Sequence, residues 1–141
     1  MPLLQRGIAA ATNRMPDVIS PTAHSIIDYI TVGAFFLMGV AFWRRNKKAA
    51  LGSLMCGSAE LGAVLVTDFP GGVAGVIDLP THLRIDMGLA AMAATLPDFL
   101  GFKDEPEAKW LRLMGLNLTA NAGLTNAGEE KRMSRRERRA A

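Results

Sequence analysis

The stretch PTAHSIIDYITVG, residues 21–33, is repeated in outline by PTHLRIDMGLA, residues 80–90. Each stretch places a histidine and an aspartate four residues apart at the start of an apolar run, as His24 with Asp28 and as His82 with Asp86. In an α-helix, residues four apart lie on one face about a turn from each other, so the members of each pair can interact. The two stretches therefore predict two equivalent helices that begin with the same polar pair, with Thr22 and Thr81 expected as cap residues.

The similarity continues along the chain at a constant offset of 58 residues. The same offset, without a gap, aligns Gly57 with Gly115 and Thr67 with Thr125. A constant offset that joins features at both ends of each half indicates an internal duplication. We expect two tandem helical hairpins, residues 21–78 and 79–128, which sit in parallel about an axis along the membrane normal.

Four segments of the 141-residue chain are candidates for membrane-spanning helices; the first three have apolar residues that are not confined to one stripe, and the fourth has helical apolar spacing. They are Ala23–Trp43, Ala49–Phe69, Thr81–Phe99 and the segment from Trp110 to residue 128. Crossing a bilayer takes about 20 mostly apolar residues, so the sequence predicts an all-α, four-helix transmembrane bundle. The fourth segment holds Arg112 and three asparagines, and it can insert only with these side chains hidden against the other helices. Residues 1–20 are predicted as an N-terminal segment and residues 129–141 as a basic charged tail.

Composition excludes several functions. The single cysteine, Cys56, rules out an intrachain disulfide and zinc-ribbon chemistry. The PGGVAG turn at residues 70–75 lacks the lysine and hydroxyl residue of a phosphate-binding loop. The RRERR tail has no aromatic interleaving, so we expect contact with anionic lipid and no nucleic acid partner. The expected partners are the lipid bilayer and a membrane protein or a second copy of this chain. No set of catalytic residues is apparent, and an enzyme is not expected.

The two polar pairs allow three interpretations. In the favoured one they are structural and fix where two helices enter the membrane, in a small structural or accessory membrane protein without a cofactor. In the second, His24, Asp28, His82 and Asp86 meet and hold a metal, a haem, a proton or a small ligand in a membrane redox or binding subunit. In the third, the chain is a soluble metal-binding helical bundle.

Glu60 is a further candidate for a ligand or proton site. It lies in the middle of the second apolar segment, and the offset pairs it with Leu118. We expect Glu60 to face the bundle and either to accept a hydrogen bond from Ser58, Arg84 or an amide of the fourth helix, or to be protonated.

The sequence resembles the SPW repeat family of bacterial integral membrane proteins. The resemblance runs from about Pro21 to Thr125 and rests on AHSIIDYITVG, on TDFPGGVAGVIDLPTHLRIDMGLA and on LPDFLGF. The family's Ser-Pro-Trp signature falls on residues 96–98, where only Pro97 matches, and on residues 38–40, where none does. The resemblance implies a four-helix multi-pass protein of the bacterial inner membrane and implies no activity.

The basic residues give a weaker indication of orientation. The RRNKK loop, residues 44–48, is short, and short loops with Lys and Arg stay in the cytoplasm. With four spans, which the repeat favours, the loop is therefore expected in the cytoplasm, with both termini outside. The distribution of basic residues instead favours three spans, in which the fourth segment does not insert.

Overall fold

The computed structural model describes residues 16–128 and residue 140, so the predicted tail lies almost entirely outside the described residues, as does most of the N-terminal segment. Within the described part the chain forms four α-helices and no strands. They are α1 (Pro21–Phe42), α2 (Lys47–Val66), α3 (Leu79–Phe99) and α4 (Pro106–Leu124). The all-α prediction is confirmed, and each helix coincides with one predicted apolar segment. The largest difference is at α4, which begins four residues before Trp110.

The helices pair as two hairpins. Helix α1 packs along α2 and α3 packs along α4, while the hairpins meet through α2 against α3 and through α1 against α4. Helices α1 and α3 therefore lie across the bundle from each other. Two isolated bridges close the end where these two helices begin, one between Ile19 and Thr125 and the other between Thr67 and Ile77. The bridges are related by the 58-residue offset, so each half of the chain holds the other in the same way.

The helix starts differ from the expectation that Thr22 and Thr81 are cap residues. Ser20 caps α1, and its hydroxyl accepts a hydrogen bond from the backbone N–H of Ala23 at 3.2 Å. Asp78 caps α3 in the same way, accepting from the N–H of Thr81 at 2.9 Å. The prolines occupy the first turn, where the missing N–H costs no helical hydrogen bond. Each helix therefore starts earlier than expected, and the histidines lie within the first one to two turns.

Small residues let the helices of each hairpin approach closely. A Cβ added to Gly57 in α2 would lie 2.9 Å from Cβ of Phe35 in α1. A Cβ added to Gly115 in α4 would lie 2.7 Å from the carbonyl oxygen of Ala90 in α3. These glycines are the pair aligned by the offset, so both hairpins cross at an equivalent point where only glycine fits.

Large apolar side chains are exposed on every helix. They include Ile30, Leu37, Leu51, Met55, Phe99, Leu113 and Leu116. Among the described residues, two helices are long and apolar enough to cross a membrane, Pro21–Phe42 with a mean hydropathy of 1.8 and Lys47–Val66 with 1.6. These two helices form the first hairpin.

Candidate metal centre

The two predicted His/Asp pairs meet between the helices, toward the end of the bundle where α1 and α3 begin, and all four side chains are fully buried. The Nε2 atom of His24 lies 3.1 Å from Asp28 Oδ2 and 3.2 Å from Asp86 Oδ2. The Nε2 atom of His82 lies 3.1 Å from the same oxygen of Asp28 and 3.2 Å from Asp86 Oδ1. Each imidazole therefore contacts the carboxylate of its own helix and the carboxylate of the helix opposite. One nitrogen or oxygen from each of the four residues lies within 4.8 Å of the others.

These contacts are close, but most of them lack hydrogen-bond geometry. His24 Nε2 and both carboxylate oxygens of Asp86 are buried without a hydrogen-bond partner among the described residues. A buried polar atom left unpaired is costly, so such groups normally have a partner. The exception among these contacts is the hydrogen bond between His82 Nε2 and Asp28 Oδ2 at 3.1 Å. Four buried residues whose ligand-type atoms lie within 4.8 Å of one another, two of them with unpartnered atoms, form a candidate cation site.

A threonine holds the outer nitrogen of each imidazole. Nδ1 of His24 lies 2.7 Å from Oγ1 of Thr125, and Nδ1 of His82 lies 2.8 Å from Oγ1 of Thr67. Each hydroxyl donates its only proton to a backbone carbonyl one turn earlier, that of Asn121 at 2.5 Å or that of Ala63 at 2.6 Å. The hydroxyl oxygen can therefore only accept from the imidazole, and Nδ1 must carry a proton.

This placement of the protons leaves Nε2 of each histidine for the centre of the cluster. A neutral imidazole with its proton on Nδ1 presents the lone pair of Nε2, which is the arrangement of a metal-binding histidine oriented by an outer partner. Without a metal, a second proton on each Nε2 gives two imidazolium groups beside two carboxylates. The four side chains then form two buried ion pairs that join the hairpins.

The two aspartates have different surroundings. The amide nitrogen of Asn121 donates to Oδ1 of Asp28 at 2.7 Å, which leaves Oδ2 of that carboxylate toward the histidines. The offset pairs Asn121 with Ala63, which has no donor side chain, so Asp86 lacks the equivalent bond. Asn121 is a functional residue that the sequence analysis missed; its position one turn before Thr125 is the signal that could have found it.

Phe69 covers the histidines from the loop between the two hairpins. Its ring centroid lies 6.2 Å from that of His24 and 5.2 Å from that of His82. The loop is held against α1 by the hydroxyl of Tyr29, which donates to the carbonyl of Gly71 at 2.6 Å. The centre is thus closed by an aromatic ring on the side of the bundle where α1 and α3 begin.

Glu60 is buried in α2, as expected, but the expected hydrogen bond is absent. Ser58 and Arg84 are exposed on the outside of the bundle, and the nearby amide of Asn121 is used by Asp28. Neither carboxylate oxygen of Glu60 has a hydrogen-bond partner in the described part of the chain. Glu60 precedes Ala63 by three residues on the buried face of α2, at the level that the offset relates to Leu118 and Asn121 of α4, so Glu60 belongs to the surroundings of the cluster.

The donor atoms suit a divalent transition metal. In a tetrahedral site with ligands near 2.0 Å, neighbouring donor atoms lie about 3.3 Å apart, close to the 3.1–3.2 Å between each imidazole nitrogen and the carboxylate oxygens. Two imidazoles with two carboxylates are suitable ligands for zinc, iron or manganese. A haem bound between the histidines, considered from the sequence, does not fit. Its macrocycle would need the space that Asp28 and Asp86 occupy.

A comparison of the chain with protein-family models, with curated proteins and with solved structures finds no match.

Proposed function

We propose that the protein is a small integral membrane protein that binds one divalent transition-metal ion between its two helical hairpins. The observation that carries the proposal is the convergence of four buried donor atoms, while threonines hold the far side of both imidazoles. Two of the four residues, His24 and Asp86, have buried polar atoms without a hydrogen-bond partner among the described residues. Two aspartates balance the charge of a divalent ion when the histidines are neutral. The proposed role is metal binding, and no enzymatic activity is proposed.

Insertion of all four helices is supported by how polar side chains at membrane depth are satisfied. Asn117 in α4 donates to Oγ1 of Thr31 in α1 at 2.8 Å. Thr95 and Thr119 donate to carbonyls one turn earlier in their own helices, those of Ala91 and Gly115. Polar groups with internal partners cost much less in hydrocarbon than unpaired ones. The exposed apolar side chains on every helix would then face lipid.

Tryptophans mark one boundary of the proposed span. Trp43 and Trp110 are about half exposed and lie at the end of the bundle opposite the cluster. Lys47 lies 5.9 Å from the ring centroid of Trp43, and Lys109 lies 5.4 Å from that of Trp110. Aromatic residues beside basic ones are typical of a membrane–water interface. We place this end at the cytoplasmic face of a bacterial inner membrane, which puts the metal centre near the outer face, and we propose that the chain is a member of the SPW repeat family.

Metal analysis of the full chain, purified in detergent and dialysed against a divalent metal mixture, tests the proposal. We expect about one ion per chain in the parent and none in the His24→Ala/His82→Ala double variant. Asp98→Asn is the control, because Asp98 is an exposed acid that pairs with Arg112 at 3.1 Å. A parent chain that retains no metal would overturn the proposal.

A structural role for the cluster is the second candidate. It is favoured by the four contacts of 3.1–3.2 Å between imidazoles and carboxylates, which join both hairpins without any metal. This role predicts that added metal leaves the thermal unfolding of the protein unchanged. If the metal binds to the folded state and not to the unfolded state, the melting temperature rises with metal concentration.

A further inference from the structure

The two aspartates of the cluster are equivalent in the internal duplication, but their hydrogen-bond partners differ. Asp28 shares one of its oxygens with the amide of Asn121, while both oxygens of Asp86 lack a hydrogen-bond partner among the described residues. Oδ1 of Asp86 lies 3.2 Å from His82 and Oδ2 lies 3.2 Å from His24. Asp86 therefore has two oxygens without a hydrogen-bond partner, whereas Oδ2 of Asp28 is hydrogen-bonded to His82 Nε2 at 3.1 Å.

Glu60 lies on this less satisfied side. Glu60 precedes Ala63 by three residues on the buried face of α2, and Ala63 is the position that the offset pairs with Asn121, the donor to Asp28. The offset gives Glu60 no acidic counterpart, because the equivalent residue is Leu118. The side chain of Glu60 is fully buried, and neither oxygen has a partner in the described part of the chain. A buried carboxylate is costly unless its oxygens have a partner. A metal ion in the cluster would give an oxygen of Glu60 such a partner.

We propose that Glu60 is the third carboxylate of the metal centre and that it gives the centre a preference for Mn²⁺ or Fe²⁺ over Zn²⁺. The inference rests on the proposed function, since it requires that the cluster binds a divalent ion. Zinc is satisfied by four ligands in a tetrahedral arrangement. Manganese and ferrous iron accept more ligands, and carboxylate oxygens suit them better. Two imidazoles exclude a pure oxygen site of the calcium or magnesium type.

Competitive metal titration of the full chain in detergent tests this role. The metal-free protein is titrated with Mn²⁺, and free Mn²⁺ is followed by its electron paramagnetic resonance signal; the titration is then repeated with Zn²⁺ as competitor. We expect Glu60→Gln and Glu60→Leu to weaken Mn²⁺ binding by about tenfold to a hundredfold, the range found when partners around a metal site are removed. Zn²⁺ binding should change by less than about threefold, because its four ligands remain.

Glu107→Gln is the matched control. Glu107 is also a buried glutamate, but it lies at the opposite end of the bundle, 3.7 Å from the guanidinium of Arg45. Its substitution should leave both affinities unchanged. The melting temperature of metal-free Glu60→Leu should equal or exceed that of the parent, because the change removes an unpaired buried carboxylate. If the variant is folded, a loss of Mn²⁺ binding is then caused by the change in the metal centre and not by unfolding.

Three results would overturn the inference. The first is an unchanged Mn²⁺ affinity in Glu60→Gln, and the second is an equal loss of Mn²⁺ and Zn²⁺ binding. The third is a parent protein that binds Zn²⁺ but no Mn²⁺; in that case the proposed function stands while the role of Glu60 fails. A parent that binds neither ion removes the proposed function and this inference together.

Discussion

His24, near the start of the first helix, and Thr125, just after the last one, are 2.7 Å apart through Nδ1 and Oγ1. The contact is reproduced by His82 and Thr67 at 2.8 Å, with each residue displaced by 58 positions. Each hairpin thus supplies the threonine that orients the histidine of the other hairpin. The affinity for a bound ion would therefore depend on contacts from both hairpins.

The threonines are expected to control metal affinity. Thr67→Val and Thr125→Val keep the shape of the side chain but remove the acceptor for Nδ1. We expect each variant to bind metal about tenfold to a hundredfold more weakly, as measured by competition with a chelator of known affinity. Thr119→Val is the control, because Thr119 donates only to the carbonyl of Gly115 in its own helix. Equal affinities in all three variants and the parent would show that the threonines do not orient the ligands.

The cluster should also stabilise the protein without metal. Replacing His24 with alanine leaves two buried carboxylates with one imidazole between them. Breaking a buried pair in this way costs about 3–5 kcal/mol, so the melting temperature of the metal-free protein in detergent should fall clearly. Asp28→Ala should have a similar effect, because it also leaves the amide of Asn121 without its acceptor. Variants that melt like the parent would contradict this prediction.

The close approach of α3 and α4 can be tested by making the same change, glycine to alanine, at two positions. Gly115→Ala should destabilise the protein by about 1–3 kcal/mol, because the added Cβ would lie 2.7 Å from the carbonyl oxygen of Ala90. Gly88→Ala should be neutral or stabilising by about 0.5–1 kcal/mol, because nothing lies within 4 Å of its added Cβ. Thermal unfolding in one detergent compares the two, and equal shifts would mean that the helices do not approach at Gly115.

The duplication made much of this architecture predictable. The offset equated Gly57 with Gly115 and Thr67 with Thr125, and the structure uses both pairs at equivalent contacts. The offset did not indicate what the threonines contact. That depends on α1 and α3 facing each other across the bundle, a long-range arrangement that spacing along one helix does not contain.

Two local expectations failed for related reasons. The caps were assigned to Thr22 and Thr81, but Ser20 and Asp78 fill that role, because the prolines between them fit inside the first turn. Glu60 was expected to find a partner in Ser58 or Arg84. The rotation of a helix that is apolar on all sides is hard to read from sequence. Ser58 lies on the exposed surface of α2 and Arg84 on that of α3.

Membrane topology remains a prediction that reporters can test. With four spans, a fusion after Ala141 should report a position outside the cytoplasm, while a cysteine placed at Lys47 should react only with a reagent that crosses the membrane. The physical reason is that the basic RRNKK loop resists translocation. Cytoplasmic signals from both positions would mean that α4 does not cross.

X-ray absorption at the edge of the bound metal tests most directly whether His24 and His82 share one ion. We predict a first shell of nitrogen and oxygen only, with outer-shell scattering that fits two imidazoles per metal, and a single imidazole in the His82→Ala variant if metal is retained. A spectrum without imidazole scattering, or one that is the same in the parent and the His82→Ala variant, would contradict the proposed centre.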